Sequence, residues 1–119
     1  MGEHRLTRVG TLIQEKIGTM IVEGRVKDPR VDTFLTITRV RVSRDLSFAY
    51  VYVSSYKSAE GLKKGVEGLK SAAGFIQAQL STKMRMRQTP RLRFHEDEGM
   101  RAGFEMVQKI EGLTGEGDN

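Results

Sequence analysis

Residues 58–83 run SAEGLKKGVEGLKSAAGFIQAQLSTK, and the arrangement of the whole chain turns on them. Leu62, Val66, Leu69, Ala73, Ile76 and Leu80 recur at steps of three and four, which puts them on one stripe of a helix. Ser58 supplies an N-cap, because its hydroxyl can accept from an orphan amide of the first turn. Gly61, Gly65, Gly68 and Gly74 argue against one unbroken helix, since each glycine costs about 1 kcal/mol relative to alanine in a helix interior. The pattern therefore predicts two helices that meet near Ser71–Gly74. Small residues at Ala72, Ala73 and Gly74 let the two backbones approach closely there, and a branched side chain at Gly74 is expected to crowd the junction.

On the N-terminal side, Leu6, Val9, Ile13, Ile17, Met20 and Ile21 predict a helix over 5–23. Gly24 stands at its C-terminal cap, and Asp28-Pro29 prevents its continuation. A two-residue period then takes over. Ala49, Val51 and Val53 alternate with Phe48, Tyr50 and Tyr52, as in a half-buried strand. The strand before it is irregular: Leu35 and Ile37 share one parity, Val40 and Val42 the other. Both pairs can face one core only if an extra residue intervenes, so a bulge is expected near Thr38–Arg39. Ser43-Arg44-Asp45-Leu46 is short and polar enough for a hairpin.

On the C-terminal side, Pro90 introduces a short strand in which Leu92 and Phe94 alternate with Arg91, Arg93 and His95. Glu96-Asp97-Glu98-Gly99 follows as an acidic turn, then a weak amphipathic segment with Phe104, Val107 and Ile110. The order helix, strand, strand, helix, kink, helix, strand defines an α+β domain, a three-stranded sheet with helices on one face. Residues 1–111 are expected to form this single domain, and 112–119 a short flexible tail.

The 119 residues suit one domain. Only 38% are apolar, no apolar run approaches the ~20 residues of a membrane span, and MGEHRLTRVG is too polar for a signal peptide. The absence of cysteine excludes a disulfide framework, a thiol nucleophile and a cysteine zinc site. A soluble cytoplasmic protein is expected. The net charge of +5 is unevenly spread: residues 63–95 carry eight Lys or Arg against Glu67 alone, whereas residues 96–119 carry seven acids against two bases. The basic block is an electrostatic footprint for nucleic acid, or else a solvated surface.

Catalysis finds little support. No phosphate loop, nucleophile elbow or zinc-helix motif occurs, so no catalytic residue is expected. His95 has no positioned partner for general-base work, and Glu96, Asp97 and Glu98 lack a spaced ligand loop, so neither metal nor cofactor is expected. Gly65-Val66-Glu67-Gly68 spells GxxG, the RNA-approaching loop of ordinary KH domains, but Glu67 would repel phosphate. Glycine tolerated in an exposed helix is the plainer account of it. The junction at Ala72-Ala73-Gly74 is the stronger candidate, because exposed amides at a helix start suit a phosphate. Beyond it Lys83, Arg85, Arg87, Arg91 and Arg93 alternate with Met84, Met86, Leu92 and Phe94. In an extended segment that alternation would set the bases on one face and anchor the other in the core.

These features, together with Lys27-Asp28-Pro29-Arg30, the run Leu35 to Leu46, Ala49 to Ser54 and Arg87-Gln88-Thr89-Pro90-Arg91-Leu92-Arg93-Phe94, resemble the ribosome-binding factor A family over roughly residues 5–110. The resemblance implies a type II KH-like fold in which a kink of the form Ala-x-Gly, here Ala72-Ala73-Gly74, replaces the GxxG loop. It further implies a bacterial cytoplasmic assembly factor, not an enzyme. Such a factor binds the free, immature small ribosomal subunit and its ribosomal RNA, assists 5′-end processing, supports growth in the cold, and leaves with the help of an assembly GTPase. Two departures stand out. Gln77 occupies a position that is commonly basic, and little chain follows Ile110.

Taken together, the kink and Lys70, Lys83, Arg85, Arg87, Arg91 and Arg93 are the candidate RNA contacts, with recognition mostly by shape. Tyr50 and Tyr52 either stack on unpaired bases or simply cover the sheet. A DNA reader would have only Gln77 and Gln79 for base edges. A protein-only adaptor, binding ribosomal protein or the GTPase, would use the acidic C-terminal third. No large spare apolar patch is expected, so the protein should be monomeric and free of membrane contact.

Overall fold

Residues 3–97 are described by the computed structural model. In chain order they form α1 (Glu3–Val22), β1 (Leu35–Val42), β2 (Phe48–Ser55), α2 (Ala59–Ser71), α3 (Ala73–Met84) and β3 (Arg91–Glu96). The segment expected around Phe104, Val107 and Ile110, and the tail 112–119, lie outside the described residues.

The apolar stripe of α1 is buried through Val9, Ile13, Ile17, Met20 and Ile21. Gly24 ends the helix with φ +70°, and the Arg25 amide reaches back 2.9 Å to the Met20 carbonyl. That is a Schellman close, which a residue with Cβ adopts only with strain. α2 begins as expected, with the Ser58 hydroxyl accepting from the Gly61 amide at 2.9 Å.

The sheet has the order β1-β2-β3, antiparallel between β1 and β2 and parallel between β2 and β3. The α2–α3 pair is the crossover that a parallel neighbour requires. Ile37 pairs with Val53 and Arg39 with Tyr52, leaving Thr38 as the extra residue of a bulge at the expected place. The bulge returns Val40 and Val42 to the side of Leu35 and Ile37, where they pack on the core. All three helices cover this side, over Ala49, Val51, Val53, Leu92 and Phe94.

The glycines of α2 behave differently from expectation. Gly61, Gly65 and Gly68 do not interrupt the helix, which runs without a break to Ser71. Nor are Gly65 and Gly68 exposed: both are buried, and a Cβ on Gly65 would stand 2.6 Å from the Leu35 side chain. They are contact points where α2 lies directly on β1 and on the 28–31 loop. The GxxG spelling is thus a packing feature in a helix body, not a loop.

Close approach also governs α1. A Cβ on Gly10 would sit 2.8 Å from the Val40 carbonyl oxygen, whereas nothing lies within 4 Å of one on Gly18. We predict opposite signs for the two alanine substitutions. Gly18→Ala should add about 0.5–1 kcal/mol of helix propensity. Gly10→Ala should lower stability by roughly 1–3 kcal/mol, because backbone cannot rotate away as a side chain can. Urea unfolding of both variants checks this; equal shifts would show that α1 does not pack on β1 at Val40.

Candidate nucleic-acid interface

One residue separates α2 from α3. Ala72 leaves the helical region (φ −92°, ψ 7°), its amide donates to the Gly68 carbonyl, and its own carbonyl receives the Ile76 amide, both at 3.0 Å. No side chain caps the start of α3. The junction therefore turns a helix N-terminus, with its positive dipole end, outward without a built-in counter-charge.

The 28–31 loop fixes this turn from behind. The Arg30 guanidinium donates to both Asp28 carboxylate oxygens, at 2.9 and 2.8 Å, and to the Ser71 hydroxyl at 3.1 Å. The Arg30 amide adds a third bond to Asp28. These side-chain hydrogen bonds from Arg30, with the backbone bond second, lower the Asp28 pKa from 3.8 to about 2. A Cβ on Gly68 would stand 3.1 Å from the same carboxylate and 2.9 Å from Val31, so only glycine lets the loop lie this close.

In front of the junction is a hollow of about 660 Å³, walled by Ala73, Gly74 and Gln77 of α3, Ser47 and Phe48 at the start of β2, and Arg91, Leu92 and Arg93 of β3. Gln88 and Thr89 complete the lining, which contains no carboxylate. Gln77, which the sequence singles out only as a departure from a basic residue and a weak base reader, has a structural role that the sequence did not reveal. Its amide donates to the carbonyls of Thr89 (3.1 Å) and Pro90 (2.7 Å), and its oxygen accepts from the Leu92 amide at 3.3 Å. It fastens β3 to α3 and so sets the width of the groove. A glutamine on a helix gives no sign of that role until β3 is placed beside it.

The expected contacts are divided by the fold. Ala73, Gly74, Arg91 and Arg93 meet at the groove. Ala72 turns to the opposite side, lining a hollow with Lys27, Pro29 and Phe75. Lys70 is exposed in the last turn of α2. Lys83 lies in the last turn of α3, in a cleft with Glu15 and Glu23 of the α1 region. Arg85 is the αL cap of α3 at φ 53°, and Arg87 is exposed in the following loop. Lys83 to Phe94 is therefore not one extended face. Met84 is still helical, and only Arg91–Glu96 is strand. The alternating burial survives because a helix end, a cap and a strand each happen to bury the apolar member. The junction is open at Gly74 as far as a methyl group is concerned, since nothing lies within 4 Å of a Cβ built there.

An uncapped helix start, two exposed guanidinium groups and no carboxylate around one groove define a domain able to receive a polyanion such as a nucleic-acid backbone. Comparison with known proteins gives this class a family. The sequence model described as "Ribosome-binding factor A" matches residues 5–110. The ribosome-binding factor A of Treponema denticola is 47% identical over 113 residues, covering 95% of this chain and 86% of that protein. The crystal structure of the Thermus thermophilus ribosome-binding factor A aligns with TM-score 0.58 and 31% identity, over 78% of this chain and 91% of that one. A homology model of the Thermus thermophilus ribosome-binding factor A, fitted into the cryo-EM map of a complex of 30S with that factor, aligns with TM-score 0.53 and 31% identity, over 71% and 90% of the two chains. The chain belongs to the ribosome-binding factor A family.

The brace behind the junction titrates. A carboxylate whose folded pKa is lowered contributes stability that is complete above its ordinary value and lost as pH falls through the lowered one. The Asp28 contribution should thus be full above about pH 4 and disappear toward pH 2. We predict that the stability difference between wild type and Asp28→Asn is constant from pH 5 to 7 and shrinks between pH 4 and 2, followed by urea unfolding at fixed ionic strength. A difference independent of pH would mean that the carboxylate charge contributes nothing to the brace.

Proposed function

We propose that this ribosome-binding factor is an assembly factor for the small ribosomal subunit, held on ribosomal RNA by the groove at the α2–α3 junction. The supporting observation is the meeting of Gly74, at the uncapped start of α3, with Arg91 and Arg93 of β3 around one carboxylate-free groove. RNA backbone entering there would find amide donors on one wall and guanidinium groups on the other. The fold is read as KH-like, with the junction in the place of a GxxG loop. Lys70, Lys83, Arg85 and Arg87 are proposed as outlying phosphate contacts.

The factor would act in the cytoplasm as a monomer without catalysing a reaction. It would bind the free, immature subunit, assist late maturation and 5′-end processing of its RNA, support growth in the cold, and be released with an assembly GTPase. What supports these finer roles is the resemblance to the family; the groove supports RNA binding alone. Among the described residues no helix is long and apolar enough to cross a membrane.

Sedimentation tests the core of the proposal: the tagged protein should travel with free small subunits and not with translating ribosomes. Binding to those subunits should weaken with salt. Arg91→Gln with Arg93→Gln should reduce the magnitude of the log–log slope by about one to two, as expected when one or two phosphate contacts are lost. Gly74→Ala is the sharper variant, because the site is exposed and nothing lies within 4 Å of the added methyl. We predict an unchanged or raised melting temperature with binding weakened several-fold, as the methyl would stand between phosphate and the α3 amides. Unaltered affinity in both variants would place the RNA contact elsewhere, and affinity insensitive to salt would favour a protein-only adaptor.

A further inference from the structure

The strand register builds a second surface, on the side of the sheet away from the helices. Arg39, Tyr52 and His95 stand in one row across the three strands, and Arg41, Tyr50 and Arg93 in the next. Phe48, paired with Arg91, follows. The rings form a continuous track: Phe48 to Tyr50 at 6.3 Å between centroids, Tyr50 to His95 at 6.1 Å, and His95 to Tyr52 at 5.8 Å. Guanidinium groups lie over two of the rings, Arg39 4.3 Å from the Tyr52 ring centre and Arg93 4.9 Å from that of Phe48, and extend the planar surface.

Cross-strand aromatic pairs stabilise a sheet by themselves, so the rings alone would call for no ligand. Charge is what they leave unexplained. Four arginines share this face, and none of them forms an ion pair among the described residues. Of the carboxylates of β3 and the hairpin, Asp97 accepts from the Thr38 hydroxyl at one end of the sheet, and Asp45 from the Ser43 hydroxyl and the Ser47 amide. Half-buried tyrosine and phenylalanine rings beside the exposed His95, set among arginines that have ring contacts but no ion-pair partner among the described residues, suit a polyanion that carries planar, unpaired bases. An apolar protein surface would have to desolvate the guanidinium groups without compensation.

We infer that the open sheet face is a stacking platform for single-stranded RNA, formed by the juxtaposition of Phe48, Tyr50, Tyr52 and His95 with the arginines of β1 and β3. Phe48 and Arg93 also line the groove at the helix junction, so the two surfaces are continuous. A strand leaving the groove passes directly onto the platform. The inference rests on the proposal that this factor binds ribosomal RNA, and it adds unpaired bases to the backbone contact.

The full chain is titrated with a fluorescent eight-nucleotide oligoadenylate and with an RNA hairpin duplex, reading anisotropy. Tyr50→Leu with Tyr52→Leu keeps an apolar cover on the sheet but removes the π-faces, and Tyr50→Phe with Tyr52→Phe restores them. Wild type should prefer the single strand, the leucine variant should lose about fivefold or more per stacked base, and the phenylalanine variant should stay within about twofold of wild type. Arg39→Gln with Arg41→Gln lies outside the groove and guards against misfolding in the leucine variant. It should reduce the salt slope for the octamer by about one to two. Four results would overturn the platform: no preference for the single strand, whether residues 98–119 or a second copy cover the face; octamer binding unchanged in the leucine variant; an equal loss in the phenylalanine variant; or an unchanged slope in the glutamine variant. Subunit sedimentation of the same variants separates the two questions, since a wild type that misses the subunit defeats the assembly proposal whatever the octamer does.

Discussion

Gln14 reaches from α1 to the Ile37 carbonyl, 2.9 Å away, at the point where Thr38 has no partner in the ladder. This contact supplies a donor to a carbonyl beside an irregular stretch of strand, where an unpaired polar group is costly. The bulge it supports governs both sides of the sheet. In unbroken register Arg39 would fall opposite Val51, on the helix side, and Val40 would point away from the core. With Thr38 inserted, Val40 and Val42 pack inward and Arg39 and Arg41 face outward. The apolar layer and the basic outer face thus depend on the same extra residue.

The helix junction follows a similar economy of parts. An αL glycine is not what bends the chain: Ala72 makes the break, and the bend is held by a loop pressed against Gly68 from behind. Asp28 and Arg30 neutralise one another there and tie to Ser71, so the brace brings no net charge to the site. The positive end of α3 is consequently free to face the groove. On the far wall Gln77 holds the start of β3 by its backbone, so the side chains of Arg91 and Arg93 take no part in that contact. Rigid backbone contacts set the geometry, and the cations remain available to a ligand.

Periodicity carried most of the architecture. The stripe of α1, the two helices after Ser58, the alternation in β2 and the change of parity at Thr38 are each local patterns, legible because burial repeats with the period of its own element. The bulge could be located from four residues, since no straight strand buries Leu35, Ile37, Val40 and Val42 together. The resemblance to the ribosome-binding factor A family was carried by the Lys27–Arg30, Leu35–Leu46 and Arg87–Phe94 motifs, and the family comparison agrees with it. Where alternation alone was followed, it misled: Met84, Met86, Leu92 and Phe94 turn inward from a helix end, the residue after its cap and a strand, with exposed Gln88 out of step between them, so the pattern arises without a single extended face.

Sequence by itself determined the apolar stripe of α1, α2 and β2, the order of the elements, and that positive charge gathers between Lys63 and His95, for these depend on neighbours a few residues away. Only the tertiary structure decided which residues meet. The parallel placement of β3 against β2 puts Arg91 and Arg93 beside Gly74 and Phe48, while Lys83 goes to a cleft with Glu15 and Glu23. It also turned glycines that looked like helix breakers into contact points, because the cost of a glycine is local but the space it leaves is filled from elsewhere in the chain. Contacts of this kind join residues as near in the chain as Gly74 and Arg91 and as far apart as Glu15 and Lys83, and no local period encodes such a distance.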